Sequence, residues 1–508
     1  SEAATLEQVM DTGADELIWY GLVDDETTTI WARFPGIDPN RETVEINVRP
    51  AVFYPDRPGR NYITVRGFIM RHAATQWAPP TTEQIGLLGT HWSKGWIIED
   101  NVISDSRCAG ITLGKFGRSV DDTGATAERY NETIREALRN GWQKGTIGGH
   151  IVRNNTIYRC GQAGIVGSMG AAFSEVSGNH VHHIHVERVF GGAEMAGIKF
   201  HGAVDTVIRN NRIHHTVLGI WLDWMTQGTR VTGNLLYAND RDLFVEVSHG
   251  PYLVDNNLFL SKDSLLNVSQ GGAFAHNLFG GKIVQWPDVT RQTPYHREHS
   301  TEVAGLINTR GGDDRFYNNI FFGQSGLESY DEPYEEWVYN YAQAHGLGDD
   351  WIRERLELWN AIEGVKPFPV WMGGNVYFGD ARPSQQDRES QRVAEPLDVA
   401  VEDEGDVVRL RIKIGGNRVS VGYAAVLSGK KRVTTELLGK AAVPGVPYNL
   451  PDGSDLVIDT DYLGEKRPGE TVVAGPLNRL STVDAGALEL VVWSPERGRK
   501  SNEQLSAG

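Results

Sequence analysis

The stretch GIWLDWMTQGTRVTGNLLYANDRDLFVEVSHGPYLVDNN, residues 219–257, decides the fold. It holds two near-copies of one unit, a strand followed by a turn and a second strand that opens on Asn. Asn234 and Asn257 occupy equivalent places 23 residues apart, and so do Asp223 in WLDW and Glu246 in FVEV. A repeat of this length is the signature of a solenoid coil. The expected fold is therefore mainly β: a parallel β-helix joined to a β-sandwich domain, with a few inserted helices.

The same unit recurs on both sides of this stretch. IIEDNVIS at Asn101, IVRNNTIY at Asn155, VSGNHVHH at Asn179 and VIRNNRIH at Asn211 precede it, and FAHNLFGG at Asn277 and FYNNIFFG at Asn319 follow. Asn suits such a position because it tolerates the left-handed conformation of a sharp turn and its amide can hydrogen-bond up a stack. A second strand aligns once per coil: AGITLGK (109–115), AGIVGSM (163–169), AGIKFHG (196–202), LGIWLDW (218–224), RDLFVEV (241–247) and DSLLNVS (263–269). Side chains alternate between the two faces of a strand. Ile198, Phe200, Ile220, Leu222, Leu243 and Val245 then point inward. Lys199, His201, Trp221, Asp223, Phe244 and Glu246 share the outward face.

Outside the repeats, ELIWYGLVDD, TTTIWARFPG, ETVEINVRP and NYITVRGFIM read as strands and turns. Insertions interrupt the coils at 72–95, 116–146 and 285–311, the second carrying the helical TAERYNETIREALRNGW. Residues 334–364 show helical spacing of Trp337, Tyr341, Trp351 and Leu358. After the charged linker 380–396 the pattern turns to period two in LDVAVEDEG, DVVRLRIKIGG, NRVSVGYAAVL and ALELVVW. The expected division is a β-helix over 1–330, a helical insertion and linker over 331–395, and a β-sandwich with a C-terminal tail over 396–508.

Charge and composition narrow the partners. The net charge of −17 makes nucleic acid and anionic membranes poor partners, whereas a neutral sugar is indifferent to that field. Two cysteines are too few for a disulfide framework, and no apolar run is long enough to span a bilayer. The first residues carry no basic region followed by an apolar one, so the chain is expected to be cytoplasmic.

The outward face carries the chemistry. Neighbouring strands lie about 4.7–4.9 Å apart, so Asp223 and Glu246 on adjacent rungs bring their carboxyls to roughly 5 Å. Retaining glycosidases hold their two acids at about 5–5.5 Å and inverting ones at about 6.5–9.5 Å, which favours double displacement. Two stacked carboxylates repel, and the repulsion drives their acidities apart as acid and nucleophile require. His201 lies one rung before Asp223, and Lys199 two residues earlier, both placed to meet sugar hydroxyls. Glu194 in GGAEMAG is a candidate third carboxylate. His249 follows Glu246 at the strand end, and Trp77, Trp92 and Trp221 are candidate sugar platforms. No metal or other cofactor is expected. In HVHHIH (180–185), His180 and His182 face one side of a strand and His183 and His185 the other.

The tract GIWLDWMTQGTR…DLFVEVSHGPYLVDNN resembles the β-xylosidases of glycoside hydrolase family 120, which implies a right-handed parallel β-helix. TTTIWARFPGIDPN, VEINVRPAVFYP, NYITVRGF, WAPP, HWSKGWIIEDN and AGIKFHGAVD support the likeness. The resemblance implies an exo-acting retaining enzyme that releases xylose from xylo-oligosaccharides, with Asp223 as nucleophile and Glu246 as general acid/base. It favours Glu194 and His201 as active-site residues, and it implies a homo-oligomer, a dimer or tetramer. It also implies first coils that this chain lacks. The alternatives are another β-helical glycosidase, an α-L-arabinofuranosidase or fucosidase, and a non-catalytic glycan-binding β-helix.

Overall fold

A computed structural model describes residues 2–11, 13, 16–38, 40–115, 127–415, 423–482 and 487–496. Three parallel sheets, of eleven, eight and ten strands, wind together as a β-helix. Most coils give one strand to each sheet, and the last ones give none to the eight-stranded sheet. The inward residues named above are all fully buried. Each such apolar side chain contributes about 1.5–3 kcal/mol to folding. Phe259, Phe279, Phe321 and Tyr377 stack rung upon rung at 5.2, 5.3 and 4.6 Å between ring centroids.

The Asn ladder is continuous. Asn211 Nδ2 donates to Asn234 Oδ1 at 3.0 Å, and Asn234 Nδ2 donates to Asn257 Oδ1 at 2.9 Å. The pattern runs from Asn101 to Asn319 and takes in Asn375, which the sequence reading passed over. The left-handed turn is made by the residue before each ladder Asn, not by the Asn itself. Asp100, Asn154, Gly178, Asn210, Gly233, Asn256, His276, Asn318 and Gly374 all have φ between 54° and 68°. The Asn-Asn pairs thus divide the work: the first residue turns the chain and the second carries the stack.

The coils reach further than expected. Strands Trp371–Gly373, Val376–Phe378 and Gln391–Val393 extend the helix beyond residue 330. The helical insertion is a hairpin, Tyr334–His345 and Asp349–Ala361, thrown out between coils. Its Trp337 stacks on Trp286 at 4.3 Å. At the other end the first ladder strand is Thr64–Arg66. Before it come a short helix, Leu6–Met10, and the hairpin Ile18–Val23/Thr28–Arg33, while residues 42–48 are irregular rather than a strand.

The expected sandwich is, among the described residues, a three-stranded antiparallel sheet: Leu397–Asp403, Val408–Ile414 and Ala487–Trp493. Its partner layer is the β-helix itself. Leu410, Ile412 and Leu490 share a core with Leu235, Leu258 and Leu278 of the coils. Of the strand expected at NRVSVGYAAVL, Tyr423–Leu427 is a short helix, and 416–422 lie outside the described residues. So do 116–126 of the second insertion and most of the expected C-terminal tail. No helix among the described residues is long and apolar enough to cross a membrane.

Candidate active site

The eight-stranded sheet carries the site. Ser168, His201, Asp223, Glu246 and Val268 are successive register partners down one column of parallel strands. Each strand turns sharply right after this column. Met169, Gly202, Trp224 and Val247 follow it with φ of 66°, 73°, 27° and 40°. A β-branched or bulky residue in that region is strained, and such strain gathers where function over-determines the backbone.

The charges interlock. Lys199 is fully buried and places Nζ 2.6 Å from Glu194 Oε2 and 2.8 Å from Asp223 Oδ2. Gln84 Nε2 donates to Glu194 Oε1 at 2.7 Å. The indole N–H of Trp221 donates to Glu246 Oε2 at 3.0 Å, and Arg291 pairs with Glu246 Oε1. Asp288 accepts from Arg291 Nε at 2.8 Å and so fixes the guanidinium. Tyr130 lies 5.2 Å from His201 and meets the Trp224 ring edge-on at 4.6 Å. Three insertions therefore close round the column: residues 72–95 bring Gln84, the helix Ala127–Arg139 brings Tyr130, and 285–311 brings Arg291.

The two column acids differ in acidity. Burial pushes both upward. On Asp223 the positive charge of Lys199, with that of Arg291 behind it, outweighs burial and holds the carboxyl below its ordinary value. On Glu246 burial and the Asp223 charge prevail over Arg291 and lift it to about 7. Burial also lifts Glu194 to about 7 against the pull of Lys199. Burial lowers His201 to about 3, so its ring is neutral, and neither ring nitrogen has a hydrogen-bond partner among the described residues.

Asp223, Glu246, Glu194, Lys199, His201 and Trp221 thus come together. Trp221 lies under Lys199 at 4.9 Å and stacks on Phe244 at 5.2 Å, so it orients Glu246 rather than offering an open platform. His249 does not join this cluster. Its Nε2 faces the carbonyls of Thr293 and Ile307, its Nδ1 faces Gln270, and it anchors the arm that carries Arg291. Trp92 is buried in an apolar cluster with Ile134, Trp142 and Trp224. Trp77, 37% exposed, stands on the 74–79 loop. Gln84, Tyr130, Asp288 and Arg291 were missed. Their only sequence signal was the length of the insertions that hold them.

A β-helix with a buried aspartate and a partly buried glutamate of divided acidity on one face has the layout of a carbohydrate-cleaving enzyme. Residues 85–279 match the family described as "Right handed beta helix region", and residues 1–46 match "Glycoside hydrolase 120, insertion domain". The second match assigns the first 46 residues to an insertion rather than to the coils. A solved structure, "The complex structure of XylC with xylose", superposes with a TM-score of 0.82 at 44% identity, covering 94% of this chain and 74% of that one. The chain belongs to glycoside hydrolase family 120 and is a glycoside hydrolase. A mutant tailspike protein of E. coli bacteriophage HK620 in complex with hexasaccharide matches at TM-score 0.29 and 10% identity, over 85% of this chain and 74% of that one, too distant to carry an argument. Comparison with curated protein sequences finds no match.

Proposed function

We propose that the chain is an exo-acting, retaining β-xylosidase that releases xylose from xylo-oligosaccharides by double displacement. The observation that carries this reading is the Asp223–Glu246 pair on adjacent rungs, with acidities driven apart. The 44% identity to a protein whose structure holds xylose supports the choice of sugar.

Asp223, held ionised by Lys199, attacks the anomeric carbon. The bond to the leaving oxygen breaks as Glu246 delivers its proton there. Lys199 holds Oδ2 of Asp223, so attack falls to Oδ1. In the resulting ester Asp223 has lost its charge, and the repulsion that raised Glu246 is gone. Glu246 then prefers its ionised form and takes a proton from the water that releases the sugar. Adjacent strands about 4.8 Å apart suit the roughly 5–5.5 Å separation of retaining acids. His201, neutral and unpaired, is left to meet a sugar hydroxyl.

An aryl β-xyloside assay tests the reading. Asp223→Ala and Glu246→Ala should each lower turnover by roughly 10²–10⁴-fold or more. Added azide should restore turnover in Glu246→Ala. Wild-type rates in either variant, or faster cleavage of an aryl arabinofuranoside or fucoside by the wild type, would overturn it. The same reading takes the enzyme as a cytoplasmic homo-oligomer. Its two cysteines are free, and the exposed Val44, Ile46, Val48, Phe68 and Ile69 favour self-association.

A further inference from the structure

A second cluster of reactive side chains lies on the eleven-stranded sheet, away from the catalytic column. His180 and His182 on strand His180–Ile184 meet His214 on the neighbouring strand Arg212–Thr216. The strands pair in register, with His182 opposite His214. His180 Nε2 stands 2.8 Å from His214 Nε2. One ligand atom from each of the three residues lies within 4.8 Å of the others. The rings are held by stacking. Tyr158, His182, His214 and Tyr237 form a column at 5.1, 5.1 and 4.8 Å. A second pair, His183 and His215, stacks beside it at 4.8 Å.

We propose that His180, His182 and His214 form a binding site for a borderline divalent transition ion such as zinc, bridging two adjacent coils. Three imidazoles are a recognised donor set for zinc, which leaves a fourth position for water. With Zn–N bonds of about 2.0–2.1 Å, tetrahedral ligands sit about 3.4 Å apart, so His180 and His214 need only a small opening of their contact. The cations that face the cluster are already matched: Arg212 pairs with Asp403, and Arg159 pairs with Asp105. His180 and His182 are partly exposed, which gives an entry path. The ion would be structural, because the catalytic column belongs to a different sheet.

The test uses the untagged full chain, dialysed against a chelator and titrated calorimetrically with zinc chloride alone. One saturable equivalent per chain is expected, with a rise in melting temperature. His180→Gln and His214→Gln should each weaken binding by roughly tenfold or more. The exposed His345→Gln should leave it unchanged. Should a variant misfold, the wild-type stoichiometry still decides. No saturable equivalent on the wild type, or binding unaltered in both ligand variants, would overturn the site.

Discussion

In the proposed mechanism Arg291 touches the carboxyl that gives up a proton, and it works against the two influences that raise it. Burial and Asp223 lift Glu246 to about 7, and the guanidinium pulls it down. The protonated acid is the active form, so kcat/KM should fall as pH rises through about 7. Arg291→Met removes the opposing cation, and the alkaline limb of that profile should move to higher pH. A limb that stays in place or moves down would contradict the electrostatic account. Asp223, Glu246, Lys199 and His201 were legible in the sequence because strand alternation and the coil repeat together fix a face and a column. Glu194 was legible only as an acid at a Gly-rich turn. Arg291, Tyr130 and Gln84 come from insertions, which have no period to register them against the column.

At the scale of the element, the Asn ladder and the turn before it define each coil. Asn234 donates to Ile208 O and Asn257 Oδ1 and accepts from Asn211, all within the buried stack. Asn234→Ala orphans partners on both neighbouring rungs and should destabilise the protein by about 3 kcal/mol, read from urea unfolding. A loss below about 0.5 kcal/mol would mean that the ladder is a passenger of the strand pairing. The ladder was readable from sequence, but its turn residue was not, because the Asn-Asn pairs hide which member turns. The histidine cluster was not read as a site, although its spacing follows the coil. His182 and His214 are separated by the same 32 residues as Asn179 and Asn211. Reading the faces of one strand alone splits the histidines, and only the neighbouring coil supplies the third.

Across the whole molecule, the C-terminal sheet and the coils share one apolar core, so they should unfold together. Leu410→Ala, which empties a fully buried site in that core, should cost about 2–5 kcal/mol and leave a single transition by circular dichroism and tryptophan fluorescence. A separate early transition would mean that the sheet is an independent unit. The period-two strands of this region were legible, but their partner layer was not, since alternation shows that a strand has a buried face without showing what covers it. The proposed reaction rests on this scaffolding, because it needs two adjacent rungs held at strand spacing with their acids in one column. Proton NMR of the first sugar released from an aryl β-xyloside tests that requirement most directly. Double displacement through Asp223 and Glu246 predicts β-xylose as the initial anomer, followed by slow mutarotation. Initial release of α-xylose would contradict it.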